Sequence, residues 1–243
     1  MARRHGRAPH QGRTYDKNVA QIGTWLNLQG IRLREVRMVP DVMEAIGEAT
    51  NALRSRHDYL FTTGGIGPTH DDITVDAIAA ALGREVVVHP RARAILEEFY
   101  AERGGLNEPR LRMARVPEGA ELIENRFSGA PGIHVENIYI LAGVPRIAGM
   151  MLDALTGTLE GGRPLLSHTL GGAIQESEVA GLLEATEKAH ARCQIGSYPF
   201  FREGRPGANF VIRSDDEAAL AACTAALREG LEALGKEVVD GGV

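Results

Sequence analysis

The sequence predicts an α/β fold with a mostly parallel sheet, followed by a small α+β domain. Three observations carry that expectation. Short, continuously apolar runs alternate with stretches of helical periodicity, the pattern of strands joined by helical crossovers. Glycine-rich turns follow the apolar runs. Beyond residue 162 the order changes to strand, helix, two strands and helix, which suits a ferredoxin-like unit.

Taken in order, residues 1–12 contain Arg3, Arg4 and Arg7 with Gly6, Pro9 and Gly12 and almost nothing apolar, so they read as a disordered tail. Residues 13–156 read as one ligand-binding domain. Val19, Ile22 and Leu26 recur at helical spacing, and Gly30 sits where a helix end favours positive φ. Residues 31–39 read as a strand whose alternation breaks at Glu35. Asp41 with Glu44 three residues on reads as a capping pair, ahead of a helix carrying Val42, Ile46, Ala49 and Leu53 on one face. Residues 58–63 form a short apolar strand that runs into glycine. A helix near Asp72 carries Ile73, Ala77 and Ala81 and closes at Gly83. Residues 85–89 read as a strand, and Pro90 opens a helix to about Arg103. After Pro109 come a short helix and a turn-rich stretch, Ser128-Gly129-Ala130-Pro131-Gly132. Residues 137–142 make a strand too continuously apolar to have a wet face, and residues 147–155 resume as helix. Glycines at 157, 161 and 162 mark a boundary. Residues 163–243 then read as strand 165–170, helix 176–190, strands 194–198 and 209–213, and a long helix 215–234.

The bulk properties exclude several classes. A 243-residue chain with 44% apolar and 24% charged residues is ordinary for a globular protein. A formal charge of −5 argues against a general nucleic-acid binder. No apolar run approaches the roughly 20 residues that span a bilayer. Cys193 and Cys223 lie outside any paired-ligand spacing, so a cytoplasmic protein without a disulfide framework is expected.

The loop Thr62-Thr63-Gly64-Gly65-Ile66-Gly67-Pro68 carries the chemistry. Glycines let backbone N–H groups approach an anion with no Cβ in the way, and the following helix N-terminus faces the same space. A plain strand-to-helix turn needs fewer glycines. Thr63, Thr69 and Thr74 offer hydroxyls to phosphate oxygens, or bond locally within the turn. Asp71 and Asp72 follow at once. One of them serves as a helix cap; two carboxylates beside a phosphate also call for a bridging divalent cation. Asp41 opens another helix after a neighbouring strand and faces either the same cleft or only its own helix end. His70 reads as a solvated loop residue in preference to an acid–base group. Gly143 and Pro145 repeat the glycine-after-strand arrangement and would form the opposite wall.

The run from Thr62 to Ala77 resembles the signature of the molybdopterin-binding MoaB/Mog domain family. The His70-Asp71-Asp72 form resembles its CinA-type subgroup, with Gly12-Arg13-Thr14 and Asp16-Lys17-Asn18 upstream and Leu141-Ala142-Gly143-Val144-Pro145 downstream. Gly196-Ser197-Tyr198-Pro199 resembles the small domain that follows in CinA-type proteins and in the pterin-binding half of eukaryotic FAD synthases. The C-terminal deamidase domain of many CinA proteins is expected to be absent. The resemblance implies a three-layer α/β domain, commonly a homo-oligomer, that binds a phosphorylated pterin or nucleotide. It also implies metal-dependent cleavage of a nucleotide pyrophosphate such as ADP-ribose or FAD, and family aspartates matching Asp72 and Asp41 are implicated in the molybdopterin-processing members. Asp72 and Asp41 are therefore the expected catalytic residues, with the metal on Asp71 and Asp72 as read from the loop. A non-hydrolytic role in molybdenum cofactor biosynthesis and an inactive scaffold are the alternatives. The implied cofactor is a divalent ion of the Mg, Co or Ni class, with a monovalent cation as a further expectation. The family opens with an apolar strand ending in a Gly-Asp-Glu turn. Residues 4–11 here read Arg-His-Gly-Arg-Ala-Pro-His-Gln, which does not suit a buried strand: either the reading frame is altered over the first dozen residues, or the protein does without that strand and its acidic turn.

Overall fold

The computed structural model describes residues 16–125, 127–202 and 204–243. The expected tail and the expected loss of a first strand fall outside the described residues. The described residues divide into two compact units, one of residues 16–26 with 32–160, the other of 27–31 with 161–243.

The first unit begins with α1 (Asn18–Leu28), where Ile22, Trp25 and Leu26 are buried. The carboxylate of Asp16 accepts from Val19 N at 2.9 Å and ties down its first turn. Residues 31–39, read as a strand, form none. Glu35, where the alternation breaks, is drawn into ion pairs with Arg37 and Arg56, and Leu33, Val36 and Met38 stay exposed. With no buried face to specify a register, nothing selects sheet pairing. Next comes α2 (Met43–Arg54), then β1 (Leu60–Thr63), α3 (Thr74–Leu82), β2 (Val86–Val88), α4 (Pro90–Tyr100), α5 (Glu108–Arg112), β3 (Arg115–Pro117), β4 (Glu121–Ile123), β5 (Gly132–Val135), β6 (Ile138–Leu141) and α6 (Pro145–Ala154). Gly83 ends α3 at φ 65°, as its position predicts.

The main sheet has the order β1-β6-β5-β4. Only β1 and β6 run parallel; β5 pairs antiparallel with both β6 and β4. The expectation of a mostly parallel sheet is corrected to a mixed one among the described residues. The cause is local: Glu136, at φ 54°, and Asn137 make a tight turn between β5 and β6, and so short a connection joins only antiparallel strands. The fold is nevertheless three-layered. Ile46 of α2 and Val75 and Ile78 of α3 pack with Leu60, Ile138 and Ile140 on one face. On the other, Phe61 stacks on Tyr139 at 5.0 Å and meets Trp25 of α1 edge-on. Burial there raises the pKa of Tyr139.

The second unit contains β7 (Leu166–Gly172), α7 (Glu176–Ala189), β8 (Gln194–Arg202), β9 (Arg205–Ser214), α8 (Glu217–Ala233) and β10 (Val239–Asp240). Its sheet, β10-β7-β9-β8, is antiparallel throughout. Leu170, Phe210 and Ile212 pack against Val179 of α7 and Cys223, Leu227 and Leu231 of α8, which makes it a small α+β unit. Both cysteines are free and buried here. Burial, reinforced by Cys193 alongside, pushes the Cys223 thiol up to about 12. The glycines at the expected boundary are used for contact: Gly162 N donates to Gly30 O at 3.1 Å, and a Cβ on Gly161 would stand 1.7 Å from Gln29 O.

Candidate functional site

The site forms where β1 ends. Thr63 closes the strand, and Gly64 N continues the ladder by donating to Leu141 O at 3.0 Å. Gly64 and Gly65 then take φ 95° and 68°, the left-handed region in which a side chain is strained. Thr74 N donates to Gly65 O at 3.0 Å, which draws the start of α3 back onto the loop. The approach is close enough that a Cβ on Gly65 would lie 2.0 Å from Thr74 Oγ1. Gly143 approaches the loop closely, since a Cβ there would stand 3.1 Å from Gly64 Cα, but it does not line the hollow described below. Its carbonyl accepts from Asn18 Nδ2 at 2.9 Å, which ties α1 to this segment. Pro145 is the first residue of α6, one place beyond the exposed Val144.

The aspartates are placed differently from the capping expectation. Helix α3 begins at Thr74 with Ile73 at its N-cap and no side-chain cap bond. Asp72 therefore does not cap; its Oδ2 accepts from Thr69 N at 2.8 Å and from Thr69 Oγ1 at 2.5 Å, stapling residues 69–72 into a tight loop. Nor does Asp41 cap, because the N-cap of α2 is Val42. Asp41 lies exposed at the bend before that helix and does not line the hollow described next. Asp71 has a partner of its own.

A small hollow opens against the loop, lined by Gly65, Ile66, Gly67, Asp72, Val75, Asp76, Arg112 and Arg115. Gly67 abuts Asp72 so tightly that a Cβ would lie 2.6 Å from its Oδ2. The backbone N–H groups of Gly65, Ile66 and Gly67 have no acceptor among the described residues, the condition under which successive amides hold an anion. Asp76 of α3 pairs with Arg115 of β3. Asp72 thus faces the hollow together with a neutralised pair and Arg112. The two arginines carry no sequence signal, because they lie about forty residues beyond the loop in a short helix and a three-residue strand. Among the described residues no group of three or more His, Cys, Asp or Glu gathers into a metal site, and no helix is long and apolar enough to cross a membrane. Gly196-Ser197-Tyr198-Pro199 lies on β8, in the second unit, where the Tyr198 hydroxyl accepts from Arg213 Nη2 at 2.6 Å.

Residues 5–168 match the family model described as "Probable molybdopterin binding domain", and residues 164–238 match the one described as "FAD synthase, middle domain". A protein of Aeropyrum pernix is 37% identical over 206 residues, spanning 80% of this chain and 77% of that one. One of Thermococcus kodakarensis is 37% identical over 196 residues, spanning 74% and 78%. Among solved structures, the protein CinA of Thermoplasma acidophilum, described as of unknown function, is 32% identical with a TM-score of 0.57, covering 63% of this chain and 92% of that chain.

Proposed function

Because the chain belongs to the molybdopterin-binding domain family, we propose that the hollow beside the glycine loop binds a phosphorylated pterin or nucleotide and that, with a divalent ion, the protein hydrolyses a nucleotide diphosphate of the ADP-ribose or FAD class. The observation that carries this reading is that Gly65, Ile66 and Gly67, whose amides have no acceptor among the described residues, line one hollow with Asp72 and Arg112. Amides and a cation receive phosphate oxygens. A cation of the Mg class needs only one or two protein carboxylates when the substrate supplies the remaining oxygens, so Asp72, with Asp71 next to it in sequence, suits it without a preformed cage. A divalent ion bound there would neutralise phosphate charge and polarise the phosphorus under attack. Thr63, Thr69 and Thr74 supply hydroxyls around the loop. Asp41, exposed before α2 and outside the lining of the hollow, takes no part in this reading.

Binding without hydrolysis is the second reading, and one observation favours it. Asp72 Oδ2 is already committed to Thr69, and Asp76 to Arg115, which leaves few carboxylate oxygens for a metal. The deciding experiment incubates the protein with ADP-ribose or FAD and Mg²⁺, Co²⁺ or Ni²⁺ and looks for AMP by chromatography. AMP supports hydrolysis; its absence with every metal, alongside tight pterin binding, supports the second reading. Asp72→Asn keeps an acceptor for Thr69 and so keeps the loop, and it is expected to abolish AMP release with an unchanged Tm. Cleavage by that variant would remove Asp72 from the chemistry.

A further inference from the structure

We infer that Arg112 is the cation that clamps a diphosphate against the glycine loop, and that it sets the preference of the site for a diphosphate over a monophosphate; this rests on the ligand-binding reading above, but not on hydrolysis. Four arginines lie close together in sequence, and three have evident structural work. Arg110 donates to Gly105 O and stacks on Tyr100 at 4.1 Å. Arg115 is bound to Asp76. Arg103 donates to Phe99 O and covers its ring. Arg112 is the exception. It ends α5, lines the hollow, and its Nε is buried with no partner among the described residues.

A buried guanidinium N–H left without an acceptor is costly, so a native structure that retains one calls for a missing partner. Arginine at a helix end is often explained by the helix dipole, but Arg110 in the same last turn already serves that end of α5. The partner must be an acceptor that fits the hollow. Gly65, Ile66 and Gly67, whose amides have no acceptor among the described residues, line the same space and offer donors to the same ligand. One anion satisfies both sets. A single phosphate fills the amide cradle; a second, linked phosphate meets the fork of Arg112, whose parallel N–H groups match two phosphate oxygens. Because Asp76 neutralises Arg115, Arg112 is the lining cation whose charge is left for the ligand.

The test is calorimetric binding of inorganic pyrophosphate and inorganic phosphate at fixed ionic strength, to the full chain and to Arg112→Ala, Arg112→Lys and Arg110→Ala. The wild type is expected to bind pyrophosphate at least tenfold more tightly than phosphate. Arg112→Ala is expected to lose at least tenfold in pyrophosphate affinity and most of that preference, and Arg112→Lys to recover only part of it, because an ammonium lacks the fork. Arg110→Ala is expected to bind pyrophosphate like wild type at temperatures below its own Tm, which separates loss of the clamp from loosening of α5. Equal pyrophosphate affinity in Arg112→Ala and wild type overturns the inference, as does a wild type that binds no pyrophosphate. Pyrophosphate binding that depends on Arg112, in a protein that releases no AMP from any substrate, keeps the clamp and rejects hydrolysis.

Discussion

Gly64 and Gly65 stand side by side in the left-handed region, yet their surroundings differ. A Cβ on Gly64 meets nothing nearer than Gly143 Cα at 3.9 Å, whereas on Gly65 it would meet Thr74 Oγ1 at 2.0 Å. Gly64→Ala therefore bears only the backbone penalty, about 1–2 kcal/mol. Gly65→Ala bears that and an overlap that parts α3 from the loop. Urea denaturation is expected to rank Gly65→Ala well below Gly64→Ala in stability, and pyrophosphate binding to be lost in Gly65→Ala. Equal destabilisation would mean that the Gly65–Thr74 contact does not hold the loop. The glycines and Asp72 were legible in the sequence because the loop is contiguous and its residue types have few other uses. Arg112 was not, since an arginine in a polar helical turn looks like any solvated surface residue until the fold brings it to the loop.

Among the elements, helix caps show how a good local signal loses to its surroundings. Asp41 and Glu44 have the spacing of a capping box, yet Val42 takes the N-cap of α2 and Asp41 is left in solvent. Asp216 carries a plainer signal and does cap: it accepts from Ala219 N at 2.8 Å and pairs with Arg192 at 3.0 Å. Its carboxyl is held below the ordinary value, first by the Ala219 amide and then by the arginine charge. A lowered folded-state pKa means that the unfolded chain takes up the proton first as pH falls. The stabilisation by Asp216 is thus complete above the usual 3.8 and is lost as pH drops through the folded-state value. Asp41→Ala is expected to leave Tm unchanged at pH 7, and Asp216→Asn to lower it at pH 7 with a smaller further loss on acidification than wild type shows. A fall in Tm for Asp41→Ala would restore its capping role. The strands missed in the sequence, β3, β4, β5 and β10, have two to four residues each, too few for a period-two pattern to declare itself. Residues 31–39 err the other way, since apolar alternation that finds no pairing strand among the described residues does not make one.

At the scale of the whole molecule, each unit has its own core, one around Ile78, Ile138 and Ile140 and the other around Phe210, Ile212 and Leu227. The long helices and alternating strands of the second unit are what the sequence displays most clearly, because its periodic segments are longest there. The junction was harder to read. Gly161 and Gly162 look like a flexible linker, but Gly161 leaves no room for a Cβ, which would stand 1.7 Å from Gln29 O, and Gly30 leaves none either, a Cβ there falling 1.9 Å from Gly162 O. The next residue, Arg163, has a side chain 73% exposed in a stretch free of helix and strand, so trypsin is expected to cut there and leave residues 164–243 resistant. Cys193 and Cys223 report on that fragment. Both thiols are buried, and Cys223 holds its proton up to about 12, so at pH 8 Cys223 does not supply the thiolate that a disulfide reagent requires, and burial shields Cys193 from the reagent. If the second core is self-sufficient, the isolated fragment will resist such a reagent until denaturant is added, then react at both cysteines together. Rapid labelling of the fragment with slow labelling of the full chain would mean instead that the second core depends on the chain before Arg163, a requirement that points to residues 27–31, which cluster with it.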